Sequence, residues 1–118
     1  MNVKSVNITF HVSDFKEALN FYEYILGLPK RSQWPTYVVF DVCGMMLGIE
    51  PGGERGVKKS APDINLQVDD VDETYRDLKS KGVKFLTEPK DQTWDARTAD
   101  FADPDGNVFT LVQLKKRR

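Results

Sequence analysis

Asn7, Thr9 and His11 take every second position of the run Asn7-Ile-Thr-Phe-His-Val12, and Asp63, Asn65 and Gln67 repeat the pattern in Asp63-Ile-Asn-Leu-Gln-Val68. In an extended chain that spacing puts each trio on one face. The two rows offer amides, a hydroxyl, a carboxylate and the chain's single imidazole, a set suited to hydrogen-bonding a small polar ligand. His11 either hydrogen-bonds in a polar cleft or ligates a metal; with Glu50 and Asp63 it would form a non-standard ligand set. Asp63 follows Pro62 and either lines the cleft or caps the start of its strand. Arg97 presents a bidentate fork for an anionic or carbonyl-rich ligand. Alternatively it pairs with Asp95, Asp100 or Asp103 and fastens a hairpin. Trp34 and Trp94 stand in matching loops, where they either stack on a planar ligand or fill a core or dimer interface. Tyr37, Met45 and Met46 form an adaptable apolar wall or pack in the core. Cys43 has no histidine beside it in sequence, which argues against a nucleophile. Gly52-Gly-Glu-Arg-Gly56 lacks the strand-to-helix context and the Lys-Ser/Thr of a phosphate loop.

These residues must be held by regular elements. Val6, Ile8, Phe10 and Val12 form the apolar face of the first strand. Asp14 and Glu17 then make a capping box, and Phe15, Ala18, Leu19, Tyr22 and Leu26 form a helical stripe that ends at Gly27, with Pro29 beyond. A short segment near Lys30–Gln33 precedes strands over Thr36–Val42 and Met45–Glu50, joined around Gly44. The second half repeats this order. Ile64, Leu66 and Val68 are the apolar face of its strand. Asp70 and Glu73 make a second capping box, Val71, Thr74, Tyr75 and Leu78 a second stripe, and Gly82 a second stop. Val83–Thr87 reads as a strand and Pro89–Thr93 as a loop. A hairpin then turns at Asp103-Pro-Asp-Gly106, where Pro104 presets φ and Gly106 accepts φ > 0. Internal duplication of this kind is a statement about fold.

The expected organisation is one α+β domain over residues 1–118, with module one at 1–51, a linker at 52–61 and module two at 62–114. Each helix covers the apolar face of its own sheet. The polar faces, turned toward each other, would line a cleft. The 118 residues carry a formal net charge of −1, so no global field favours nucleic acid. No apolar run is long enough to span a membrane, and the N-terminus lacks the apolar stretch of a secretory signal. One cysteine excludes an internal disulfide and suits a reducing, cytoplasmic setting. Lys115–Arg118 reads as a solvated basic terminus.

Val12-Ser-Asp-Phe15, Phe21-Tyr22, Leu26-Gly-Leu-Pro29, Val68-Asp-Asp-Val71, Lys81-Gly-Val83 and Arg97-Thr-Ala-Asp-Phe-Ala-Asp-Pro-Asp-Gly-Asn107 together resemble the vicinal oxygen chelate superfamily of glyoxalases, bleomycin- and fosfomycin-resistance proteins and extradiol dioxygenases. The resemblance implies two βαβββ modules forming a U-shaped, partly closed mixed sheet around a cavity, frequent homodimers, and a function to be argued from the site. It also implies metal ligands at four points, which in this sequence are Asn7, Gly48, Asp63 and Thr110. Only Asp63 is an ordinary ligand there, whereas a divalent site needs about three or four charged or imidazole groups.

Three functions follow as expectations. The first is a binding protein that holds a small molecule in the cleft without a cofactor or standard metal. The second is a glyoxalase-like lyase, isomerase or ring-cleaving dioxygenase using an altered divalent-metal site. The third is a dimeric module acting through its surface, with Trp34, Trp94 and Tyr37 filling the cleft.

Overall fold

A computed structural model of the chain describes residues 1–4, 7–56, 64–93 and 95–115. It divides into two compact units, Met1–Arg55 and Gly56–Arg118. Each is α+β and carries its own mixed sheet.

In the first unit, strand β1 (Asn7–Val12) leads to a short helix α1 (Phe15–Leu19). Asp14 caps this helix: its Oδ1 accepts from the Glu17 amide at 3.1 Å. The Glu17 carboxylate pairs with Arg55 rather than completing the expected capping box. The predicted helical stripe does not run on as regular α-helix. Asn20–Ile25 widens into a π-helical turn, and the Leu26 amide reaches back to the Phe21 carbonyl at 2.9 Å. Phe21, which lies outside the expected stripe, is buried together with Ala18 and Tyr22. Strands β2 (Lys30–Trp34), β3 (Tyr37–Val42) and β4 (Met45–Pro51) complete the sheet in the order β1-β4-β3-β2, with β1 and β4 parallel. The β3–β4 hairpin turns at Cys43 and Gly44, whose φ values are 54° and 94°. Two consecutive positive φ angles suit the twist of a two-residue hairpin, and the Gly44 amide is held by Asp41 Oδ1 at 2.8 Å. Phe10, Val12, Val38, Phe40, Leu47 and Ile49 are buried beneath the helical segment, and Tyr22 lies 6.0 Å from Phe40, ring to ring. Removing each such side chain from water contributes roughly 1.5–3 kcal/mol.

The second unit repeats the order. Strand β5 (Ile64–Gln67) precedes helix α2 (Val71–Ser80), capped by Asp70, whose Oδ1 accepts from the Glu73 amide at 3.0 Å. The strand expected over Val83–Thr87 shortens to β6 (Lys84–Phe85), because the Leu86 and Thr87 amides both turn to the Asp100 carbonyl. The segment read as a loop contains a short strand, β7 (Lys90–Asp91). Strands β8 (Ala96–Ala102) and β9 (Val108–Leu114) form the predicted hairpin. The sheet order is β5-β9-β8-β6, with β7 also on β8 and β5 parallel to β9. Phe101 stacks on Phe109 at 5.2 Å, and Tyr75 of α2 meets Phe85 edge-on at 4.6 Å. The hairpin turn is buried. Asp103 accepts three hydrogen bonds, from the Asp105 amide at 3.0 Å and from the Asn107 amide and Nδ2 at 2.7 Å each. Among the described residues no helix is long and apolar enough to cross a membrane.

Candidate functional site

Strand alternation decides which side chains share a face. In the first unit Ile8, Phe10 and Val12 point to the helix, so Asn7, Thr9 and His11 point away from it. Their parallel partners Met46, Gly48 and Glu50 lie on that same open face. Tyr37 joins them. Asn7 Nδ2 donates to Tyr37 Oη at 3.0 Å, and Thr9 Oγ1 lies 3.4 Å from the same oxygen. Tyr37, expected as part of an apolar wall, is therefore the hydrogen-bonding centre of this face. Trp34 ends β2 rather than sitting in a loop; it stacks on Tyr37 at 5.8 Å and stays 54% exposed. His11 Nε2 meets Glu50 Oε1 at 2.8 Å, both partly exposed. Glu50, near the end of β4 and partly exposed, is the imidazole's partner.

Gly48 faces Thr9 across the parallel pair. A β-carbon there would lie 2.6 Å from Tyr37 Oη and 2.7 Å from Thr9 Oγ1. A side chain at position 48 therefore requires the ends of the Tyr37 and Thr9 side chains to shift.

In the second unit Ile64 and Leu66 pair with Phe109 and Leu111 on the helix side, and Asn65 pairs with Thr110 on the other. Asn65, Thr110 and Asp100 form one polar row, and beside it Gln67 and Thr98 flank the buried Val112 on the same face. Thr110 Oγ1 donates to Asp100 Oδ1 at 2.7 Å, and Gln92 Nε2 donates to Thr98 Oγ1 at 2.9 Å. Asp63 and Trp94 lie outside the described residues.

Arg97 does not join this row. By alternation with Phe101 it points to the helix side, where its Nε and Nη2 donate to the two Asp72 oxygens at 2.8 and 3.0 Å. Its Nη1 donates to Asp91 at 3.1 Å. The expected partners Asp95, Asp100 and Asp103 are replaced by one aspartate of α2 and one of β7. Hydrogen bonding to Arg97 draws the Asp72 carboxyl below the usual carboxylate range, and hydrogen bonds from Lys115 and Arg97 do the same for Asp91. The two carboxylates in turn hold the Arg97 guanidinium above its ordinary value. Sequence reasoning missed Asp72 and Asp91 because the pairing depends on how helix and strand dock.

The described donors at the points implied by the resemblance do not make a set suited to a divalent ion. Of the four points implied by the resemblance, Asp63 lies outside the described residues; Asn7 is a neutral amide engaged with Tyr37, Gly48 has no side chain, and Thr110 is a neutral hydroxyl committed to Asp100. Among the described residues no three His, Cys, Asp or Glu side chains gather as a metal-holding group.

The family model for the Glyoxalase/Bleomycin resistance protein/Dioxygenase superfamily matches residues 4–111. The uncharacterized protein YraH of Bacillus subtilis is 33% identical over 129 residues, covering 95% of this chain and 99% of YraH. The metallothiol transferase FosB of Staphylococcus saprophyticus is 25% identical, covering 92% of this chain and 76% of FosB. Among solved structures, the genomically encoded fosfomycin resistance protein FosX of Listeria monocytogenes superimposes with a TM-score of 0.76 at 24% identity, covering 96% of this chain and 94% of FosX.

Proposed function

Because the chain belongs to the glyoxalase/bleomycin resistance protein/dioxygenase superfamily, we propose that it binds a small organic molecule on the polar sheet faces of its two modules, without a standard divalent-metal site, as a homodimer in the cytoplasm. The observation that carries this reading is the close approach of Tyr37 and Thr9 over Gly48. Where the resemblance implies a metal-ligating side chain, this face instead presents a phenol with two neutral partners. Such a face hydrogen-bonds an organic ligand well and competes poorly with water for a divalent ion. Trp34, stacked on Tyr37 and exposed, supports a planar group beside the polar atoms. Asn7, Thr9 and His11 on one sheet, and Asn65, Gln67 and Thr110 on the other, supply the polar contacts. Asp63 and Trp94 are proposed as additional contacts; Arg97, on the opposite face of its sheet and held by Asp72 and Asp91, is not.

The test is metal analysis of purified protein after equilibration with Zn²⁺, Ni²⁺, Mn²⁺ and Fe²⁺. Negligible stoichiometric uptake is expected. Tight one-to-one binding that disappears in Asp63→Ala would overturn the reading.

One observation favours an enzyme with an altered ligand set instead. His11 and Glu50 place an imidazole and a carboxylate within 2.8 Å on the open face of the first sheet, two ordinary ligands for a transition metal. In that case His11→Ala abolishes metal uptake; unchanged metal content in the variant would remove this alternative.

A further inference from the structure

We propose that Asp100 is the specificity-determining group of the second unit's open face, and that it selects ligands carrying a protonated amine; the proposal rests on the small-molecule reading above. Asp100 sits on β8 directly across from Thr110 of β9, and β9 is an interior strand of its sheet. The pair is therefore set within the polar row and not at its rim.

The carboxylate is tethered by Thr110, and the backbone that carries it is anchored by Leu86 and Thr87. Thr110 Oγ1 donates to Oδ1 at 2.7 Å, and the Asp100 amide donates to Thr87 Oγ1 at 2.9 Å while its carbonyl receives the Leu86 and Thr87 amides. Thr110 spends its one proton on this bond. Among the described residues, Asp100 Oδ2 has no hydrogen-bond donor or ion-pair partner. What a ligand meets at the centre of the row is thus a fixed, half-buried carboxylate oxygen, not a hydroxyl proton.

The neighbours sharpen the choice. Asn65, Gln67 and Thr98 are neutral. The one guanidinium of β8, Arg97, is on the opposite face and held by two carboxylates. Lys84 and Lys90 share the open face by register, with Ala102 and Thr98, but stand on the outer strands β6 and β7 and are exposed. A donor or cation at the centre of the face therefore meets Asp100 first, whereas an anion is drawn to the lysine rim. A charge-assisted hydrogen bond to a preoriented carboxylate is the strongest polar contact this face can offer.

The experiment follows backbone amide shifts of the full chain by NMR during titration with three probes of nearly equal shape at low salt: benzylamine, benzyl alcohol and benzoate. Benzylamine is expected to shift Asn65, Asp100 and Thr110 saturably and to bind more tightly than the other two. Asp100→Asn should weaken benzylamine about tenfold, the scale of one lost hydrogen bond to a charged group, and leave benzyl alcohol nearly unchanged. Thr110→Val keeps the carboxylate but removes its tether, and should weaken benzylamine by a smaller factor. It also serves as the second probe of the pair if Asp100→Asn proves unfolded. Equal affinity of wild type and both variants for benzylamine overturns the proposal. So does tighter binding of benzoate that is lost with Lys84→Ala or Lys90→Ala. If benzyl alcohol binds without any preference for benzylamine, only this inference falls; if no probe shifts the open face, the small-molecule reading falls with it.

Discussion

The phenolic oxygen of Tyr37 stands over Gly48, 2.6 Å from where a β-carbon on that glycine would lie. A side chain at Gly48 would crowd the ends of the Tyr37 and Thr9 side chains. Gly48→Ala should destabilise the protein by about 1–3 kcal/mol, the usual scale of overpacking, measured by denaturant unfolding. Gly48→Glu alone should not create a metal site, whereas truncating Tyr37 to alanine in the same chain should restore part of the lost stability. A Gly48→Ala protein as stable as wild type would show that Tyr37 moves aside freely.

Arg97 ties α2 to β7 through Asp72 and Asp91. Both carboxyls are held below their usual range in the folded protein. A group depressed in this way stabilises the fold above its unfolded value, and the contribution is lost as pH falls through the folded value. Stability should thus fall from about pH 4 downward, where free carboxylates begin to protonate. Arg97→Ala should be less stable than wild type at neutral pH, and the two curves should converge in acid. The measurement is denaturant unfolding across a pH series. Parallel curves at all pH values would mean that Arg97 acts by packing alone.

Asp103 organises the second hairpin by accepting three hydrogen bonds from Asp105 and Asn107 within a buried turn. Asp103→Ala should cost about 1–3 kcal/mol for each buried donor left unpaired. Asp103→Asn retains an acceptor oxygen and should be milder. Thermal unfolding of the two variants checks the order. Since β8 and β9 position Thr98, Asp100 and Thr110, the alanine variant should also disturb the amide signals of the open face.

Local patterning announced most of the architecture. Alternating strands, two aspartate caps, two glycine helix stops and two turns depend on neighbours in sequence, and all are present. What departs from expectation depends on distant partners. Asn20–Ile25 widens into a π turn, and Phe21 within it is buried. Residues 86 and 87 leave their strand to reach the Asp100 carbonyl, and Lys90–Asp91 gains a strand by pairing with β8.

The same division runs through the candidate site. Period-two alternation was enough to place Asn7, Thr9 and His11 on one face and Asn65 and Gln67 on another, because side-chain direction in a strand is a local property. It could not say that Tyr37 would crown Gly48, that Glu50 would hold His11, or that Arg97 would face α2 and leave Asp100 to Thr110. Each of those pairings joins residues on different strands or on a strand and a helix. Their distances are set by sheet register and helix docking, which appear only once the chain has folded.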